Sequence, residues 1–347
     1  MDSAPLLQGP NGLSGPNSMQ DHVSVDQDPK QPSASLTSSH QQPAFLRACH
    51  SPWRFIPQNV LVILRGLLLA FTLAVLIMVL DYELNEPSDF SRWRLVFDFA
   101  NISLFFVFLY QLRTFSWTFT HLYYPHHDEI NDGIEGVVLR AMSLPRNMAS
   151  LRGQFYFTMF YTLTVVFCFM NSVIYWFVTR QHDDDDGSGE PQPQPPSNST
   201  SIWAGTRAVA PEAPFTDVFG EGWFRAFVIL ALYGLSSLIM VIEIIWLNSI
   251  RRPYAIGMHL FGLMFSAAVY LGWAAFGHLV TNYFPFFWLD EDEVGSNEAV
   301  TLYCIGFVFL APIMYIFMQG FVSVRESLTR SRSEARAIAA AQEALDS

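Results

Sequence analysis

The stretch VLVILRGLLLAFTLAVLIMVL (residues 60–80) decides the fold class, because its one charged residue is Arg65. A helix needs about 20 mainly apolar residues to cross the hydrocarbon core of a bilayer. The sequence therefore predicts a membrane-spanning helix over about 58–80.

Further apolar blocks predict five more spans. The chain has 347 residues, of which 51% are hydrophobic and 14% are charged, whereas soluble domains carry about a quarter charged residues. We therefore predict an all-α fold, a polytopic membrane helical bundle with six transmembrane helices over residues 56–323. The five further spans are about 95–117, 155–178, 224–247, 256–283 and 300–322.

Three segments differ in composition from the spans. Residues 1–55 are rich in Ser, Gln and Pro, and residues 181–222 contain DDDD and a proline-rich run, so both are predicted to be disordered. Residues 324–347 contain ARAIAAAQEAL, which favours a cytoplasmic C-terminal helix. No cleavable signal peptide is visible, so we expect the first span to act as a signal anchor.

The arginines predict the orientation in the membrane. Lys and Arg are enriched in cytoplasmic loops, so both termini are predicted to be cytoplasmic. The sequon at Asn198 then lies in a non-cytoplasmic loop, where we predict glycosylation. The start MDSAPLL is similar to an acidic dileucine sorting signal, which directs proteins to endosomes or a vacuole. We expect the protein in the endomembrane system or the plasma membrane. The arginines concerned are Arg47, Arg54, Arg140, Arg146, Arg152, Arg251, Arg252, Arg325, Arg330, Arg332 and Arg336.

Composition and motifs exclude several classes of function. A net charge of −12 argues against nucleic-acid binding, which normally needs a basic surface. The chain has no P-loop, dinucleotide fingerprint or serine elbow. The histidine-rich stretch HLYYPHHDE (residues 121–129) lacks a zinc-ligand spacing, and anchoring at the membrane interface is the favoured interpretation. We therefore predict no cofactor and no metal, with membrane lipids as the partners.

His278 is an unusual residue in the apolar stretch YLGWAAFGHLVTNYFPFFWLD (residues 270–290). Asp98 lies at a similar depth in the second span, and Thr281 lies one turn beyond His278. A carboxylate can orient an imidazole and raise its basicity, as in hydrolytic sites. Two interpretations stay open: a catalytic group of Asp98, His278 and Thr281, or a structural hydrogen bond between helices.

Arg65 and Glu243 form a second pair at matched depth, each about two turns from the cytoplasmic face. A lone charge within a span is unfavourable, so we predict that the two side chains neutralise each other as a structural ion pair.

The order of Trp273, His278, Thr281, Pro285 and Asp290 resembles that of the androgen-induced-gene family and the related rolling-stone type proteins. The stretches SRWRLVFDF (residues 91–99) and LYGLSSLIMVIEII (residues 232–245) are similar to the second and fourth spans of this family. The resemblance implies six spans. It also implies a hydrolase, because some animal members cleave esters of hydroxy fatty acids.

Two positions depart from this family. Its hydrolytic members use a threonine in span two and a histidine in span four, and Phe97 and Ser236 occupy those positions here. Phenylalanine cannot act as a nucleophile, and serine cannot replace histidine as a general base. We therefore predict a multi-pass membrane protein without the hydrolase dyad, in a lipid-associated, structural or trafficking role.

Two alternatives stay open, and with them the question of enzymatic activity. One is an intramembrane hydrolase of lipid esters, such as fatty acid esters of hydroxy fatty acids, that uses other residues. The other is a small-solute transporter, which is disfavoured because the sequence shows no inverted repeat.

Overall fold

The chain folds into a bundle of long helices, and no β-strand occurs in the part that the structure describes. The structure is a computed structural model that describes residues 43–346 apart from 54, 86–90, 125–132, 146, 149, 181–221 and 252–254, without the side chains of residues 135 and 332–346. The predictions for residues 1–42, for the loop at 181–221 and for Asn198 lie outside the described residues.

The helices follow one another with short connections in the described ranges. Two 3₁₀ turns, Arg92–Val96 and Phe287–Leu289, precede helices, and three helical stretches have π-helical geometry: Tyr175–Thr179, Ala231–Leu235 and Glu243–Leu247. The helices are α1 Ala44–Cys49, α2 Gln58–Asn85, α3 Phe99–Tyr123, α4 Ile134–Met142, α5 Leu151–Thr179, α6 Trp223–Leu247, α7 Ile256–Thr281, α8 Glu291–Val294 and α9 Asn297–Asp346.

Five of the described helices, α2, α5, α6, α7 and α9, are long and apolar enough to cross a membrane. The multi-pass class is therefore confirmed at this level. Helix α3 has 25 residues and covers most of the predicted second span, but it does not meet the same criterion of apolarity. Its polar residues are tolerated because α3 packs against α1, α2 and α5. Those buried within the bundle are Asn101, Ser103, Gln111, Thr114, Ser116, Thr118 and Thr120.

The predicted start of the second span is four residues too early. Helix α3 begins at Phe99 because the Asp98 carboxylate accepts a hydrogen bond from the Ala100 amide at 2.8 Å. An aspartate in this position satisfies one of the free amides at the start of a helix. Residue 95 belongs instead to the preceding 3₁₀ turn, Arg92–Val96.

The predicted disordered tail extends too far along the chain. Residues 44–49 form α1, and the Phe45 ring lies 5.5 Å from the rings of both Trp117 and Phe157. The prediction of disorder came from the polar composition of residues 1–55 as a whole, although the segment contains this short apolar run near its end. Cys49 of α1 is fully buried, and burial raises the pKa of its thiol to about 11, so the reactive thiolate is scarce at neutral pH.

Contacts at the two ends of the bundle show which segments lie together. At one end the Arg47 carbonyl accepts hydrogen bonds from the Ser249 amide and hydroxyl, at 3.0 and 2.9 Å. At the other end the Asn101 amide donates to the Glu83 carboxylate at 2.6 Å. Helix α9 continues from the predicted sixth span through the predicted boundary at residue 323 without a break.

Candidate functional site

Arg65 is a fully buried charge near one end of the bundle. It lies on α2 with 0% of its side chain exposed, and its Nη2 is 3.3 Å from Oε1 of the equally buried Glu243 on α6. The ion pair predicted from matched depth is therefore present in the structure. The other acceptors of the Arg65 guanidinium are the Ala48 carbonyl, the Thr114 carbonyl, the Thr118 hydroxyl and the Leu247 carbonyl.

The C-terminal end of α6 receives its hydrogen bonds from side chains of other segments. The last four carbonyls of a helix have no partner within the helix, and an unsatisfied backbone group within a bilayer is unfavourable by several kcal/mol. Each of these carbonyls accepts a side-chain hydrogen bond. The pairs are Ile244 with Arg325 (3.0 Å), Ile245 with Trp53 (2.8 Å), Trp246 with Ser51 (2.7 Å) and Leu247 with Arg65 (2.9 Å).

Arg325 is a second buried guanidinium at the same helix end. It lies on α9 and donates to the Asn248 side-chain oxygen at 3.1 Å and to the Ile250 carbonyl at 2.6 Å. The burial of Arg325 differs from the expectation that it belongs with the solvated arginines on the cytoplasmic side. The burial of Arg325 could have been expected from its position, which is only three residues after the predicted sixth span.

Hydrogen bonds connect the two arginines into one network. The Tyr110 hydroxyl donates to Glu243 Oε1 at 3.3 Å, and the Asn248 amide donates to the Tyr110 oxygen at 3.4 Å. The network carries two buried positive charges and one buried negative charge, and the partial negative charge at the C-terminal end of α6 offsets part of the difference. Because the arginine Nη donors are bound to carbonyls and to Glu243, this arrangement holds helices together.

We predict that the charges of Arg65 and Glu243 are strongly coupled. Arg65→Met and Glu243→Gln should each lower the free energy of unfolding by about 3–5 kcal/mol, because each leaves a buried charge without its partner. The double variant should be more stable than the sum of the two losses by at least about 1 kcal/mol. The measurement is denaturant or thermal unfolding in detergent.

The matched control is Glu298→Gln, which removes an exposed carboxylate from the start of α9. It should leave stability almost unchanged. Losses that simply add in the double variant would contradict the coupling.

The predicted group of Asp98, His278 and Thr281 is not joined by hydrogen bonds in the structure. Asp98 caps α3, and the Thr281 hydroxyl donates to the Gly277 carbonyl of its own helix at 2.7 Å. The His278 ring stacks on Phe284 with a centroid distance of 3.7 Å, and its buried Nδ1 has no hydrogen-bond partner in the described part of the chain. Each side chain thus has a separate local environment.

Phe97 fills the position where the resemblance would require a threonine, and it is a packing residue. The Tyr270 hydroxyl donates to the Phe97 carbonyl at 3.1 Å, and the Trp273 indole donates to the Val96 carbonyl at 3.0 Å. A Cβ added at Gly277 would lie only 2.5 Å from Phe97 Cγ, so the ring rests directly on the α7 backbone. The segment before α3 therefore docks on α7 through close contact.

The Ser236 hydroxyl, at the position of the family histidine, donates to the Leu232 carbonyl of its own helix at 2.7 Å. Ser236 is buried within α6. Neither departure from the family pattern thus supplies a reactive group.

The contact between Phe97 and Gly277 generates a stability prediction. Gly277→Ala should destabilise the protein by about 1–3 kcal/mol, because the added methyl group overlaps the ring. Gly272→Ala on the same helix is the control, since a Cβ there meets nothing within 4 Å. It should be neutral or slightly stabilising, because Ala favours helix over Gly by about 1 kcal/mol. Equal melting temperatures for the two variants would contradict the close packing.

Thr158 and His259 form a pair that sequence analysis missed. Thr158 Oγ1 on α5 lies 3.1 Å from Nε2 of His259 on α7, and His259 Nδ1 lies 2.9 Å from the Ala255 carbonyl oxygen. A carbonyl only accepts hydrogen bonds, so Nδ1 must carry the proton. In the neutral imidazole, Nε2 can then only accept. The one proton of the Thr158 hydroxyl has three acceptors within reach: Nε2, the Gln154 carbonyl at 2.9 Å and the Phe155 carbonyl at 3.0 Å.

When the Thr158 hydroxyl turns towards Nε2, the arrangement has the geometry of a nucleophile and its general base. A hydroxyl within hydrogen-bonding distance of an imidazole that a third group orients is the diagnostic pattern. His259 is 2% exposed while Thr158 is half-buried, so Thr158 is the more accessible residue of the pair. The depth comparison that singled out His278 would have matched these residues too, since both lie near the predicted cytoplasmic ends of their spans.

The described residues contain no group of three or more His, Cys, Asp or Glu side chains that could hold a metal ion. Most of the histidine-rich stretch at 121–129 lies outside them.

Comparisons with protein families, with curated proteins and with solved structures found no match to this chain. The resemblance to the androgen-induced-gene family therefore stays a prediction.

Proposed function

We propose that the chain is an integral membrane protein of six spans with both termini in the cytoplasm, and that it has a structural or lipid-associated role. The observation that carries this proposal is the use of the buried charges. Arg65 and Arg325 direct their Nη groups to backbone carbonyls and to polar side chains that hold the helices together.

Contacts at one end of the bundle support an even number of crossings. The Arg47 carbonyl binds Ser249, and the Arg325 guanidinium binds the Ile250 carbonyl, so residues before α2 and late in α9 share one end. An odd number of crossings between them would separate these residues. The five apolar helices alone give an odd number, so we infer that α3 is the sixth crossing.

Lipid contact is supported by the apolar surface of the bundle. Leu279 and Leu302 are more than two-thirds exposed on α7 and α9, as are other large apolar residues on the long helices. Contiguous apolar patches of this kind are rare on soluble monomers and indicate membrane contact. We infer that acyl chains cover this surface, with arginine-rich loops on the cytoplasmic side.

Reporter mapping tests the topology. A reporter at residue 340 should be cytoplasmic, while a tag inserted within 185–200 should be accessible only from the other side of sealed vesicles. In a glycosylating host, treatment with a glycosidase should increase the gel mobility of the protein, and Asn198→Gln should abolish this shift. A reporter at residue 340 on the non-cytoplasmic side would contradict the proposed orientation.

A second candidate function is lipid ester hydrolysis, favoured by the pair of Thr158 and His259. The Thr158 oxygen would attack the ester carbonyl carbon while His259 Nε2 takes the hydroxyl proton. His259 then gives this proton to the leaving alcohol, and an acyl-threonine forms. Water attacks the acyl carbon next, His259 takes the proton of that water and returns it to Thr158, and the carboxylic acid leaves.

An ester hydrolysis assay on the purified protein separates the two candidates. With a fatty acid ester of a hydroxy fatty acid as substrate, Thr158→Val and His259→Phe should each lower turnover at least about 100-fold, in line with the loss of a nucleophile or its base. His278→Ala is the control and should retain activity, since no hydrogen bond joins His278 to this pair in the described residues. Mass spectrometry should detect the acyl group on Thr158. If folded wild-type protein does not cleave the ester, this candidate function is wrong and the contact between Thr158 and His259 is structural.

A further inference from the structure

A cluster of buried polar atoms without hydrogen-bond partners surrounds Glu243. Among the described residues, Glu243 Oε2, both side-chain polar atoms of Gln111, the Tyr161 hydroxyl and Arg65 Nε have none. All four side chains are at least 99% buried. These atoms belong to residues on α2, α3, α5 and α6, so the cluster lies where four helices meet.

The four side chains lie next to one another. The Tyr110 hydroxyl contacts Glu243 Oε1, and the Tyr110 ring lies 5.3 Å from the Tyr161 ring. Gln111 follows Tyr110 on α3, and its side chain lies beside the Glu243 carboxylate without forming a hydrogen bond of good geometry. The Tyr161 hydroxyl lies in the same way beside Asn248, and it is close enough to Glu243 to interact with its charge. The partnerless atoms therefore belong to one buried polar cluster around Glu243.

Such a concentration of unsatisfied atoms requires an explanation. A buried polar group without a partner destabilises a protein by about 1–3 kcal/mol, and native proteins contain few of them. The aliphatic interior of a membrane offers no alternative hydrogen-bond partner. A bound polar molecule that contacts several of these atoms at once would satisfy them together.

The chemistry of the cluster defines this molecule. Gln111 Nε2, the Tyr161 hydroxyl and Arg65 Nε are donors, while Glu243 Oε2 and Gln111 Oε1 are acceptors. A cation is disfavoured by the Arg65 and Arg325 guanidinium groups, and an anion is disfavoured by Glu243. A small neutral molecule that both donates and accepts hydrogen bonds fits, and water is the molecule of this class that is always present.

We propose that the bundle binds ordered water between Glu243, Gln111 and Tyr161. A buried water typically makes about three hydrogen bonds, which this set of side chains supplies. The water hydrates Glu243 Oε2, the carboxylate oxygen that Arg65 and Tyr110 do not contact. The ion pair between Arg65 and Glu243 is thus a hydrated pair within an otherwise apolar bundle.

Radiolytic hydroxyl-radical footprinting in ¹⁸O-labelled water tests this proposal on the full-length protein. Radicals form from bound water and oxidise adjacent side chains even where bulk solvent has no access. Tyr270 is the matched control, because it is 4% exposed, against 1% for Tyr161, and its hydroxyl is bound to the Phe97 carbonyl. Tyr161 should be oxidised at least about fivefold faster than Tyr270, and equal slow rates would overturn the proposal.

A variant provides a second readout of the same site. Gln111→Met removes two of the polar atoms at nearly constant side-chain length, so it should lower the rate of Tyr161 oxidation at least about threefold by weakening the binding of water. The oxidation rate of Tyr270 should stay constant, which also reports that the fold is intact. An undiminished Tyr161 rate in a folded variant would overturn the place of Gln111 in the site.

Discussion

A guanidinium group buried among helices needs hydrogen-bond acceptors, and Arg65 finds them at the end of α6 and in two other segments. One side chain thereby connects α1 through Ala48, α3 through Thr114 and Thr118, and α6 through Glu243 and Leu247. The last carbonyls of α6 in turn need the guanidinium, because they require hydrogen-bond donors that the bilayer does not contain. Removing the guanidinium or its acceptors leaves the remaining groups without hydrogen bonds, so polar groups fix the register of these helices.

The two polar centres of the bundle differ in what they leave available for chemistry. In the network around Glu243, the arginine Nη donors are bound to carbonyls and side-chain oxygens, which suits a structural role. Thr158 and His259 instead form a pair in which an oriented imidazole lies within hydrogen-bonding distance of one half-buried hydroxyl, and the Gln154 carbonyl competes for the proton of that hydroxyl. This contrast is why the proposed structural role and the second candidate, ester hydrolysis, rest on different residues.

Helix positions were predictable from sequence because the apolarity of a span is a local property of the chain. Depth was predictable too, as the contact of Arg65 with Glu243 illustrates. The direction in which a side chain points around its helix was not, since it depends on packing with neighbours. Asp98 and His278 were matched by depth, yet one caps α3 and the other stacks on Phe284. The burial of Phe45 in α1 likewise depends on Trp117 and Phe157, which are distant in sequence.

Helix α9 has a mechanical consequence that follows from its length. Its 50 residues correspond to about 75 Å at 1.5 Å per residue, well beyond the roughly 30 Å of a hydrocarbon core. Arg325 holds α9 to the end of α6, and the helix continues for about 30 Å beyond that residue. Arg325 is therefore the last side chain described as fixing α9 to the end of α6 before this extension. A tilt of about 5° at Arg325 would move the far end of α9 by about 3 Å.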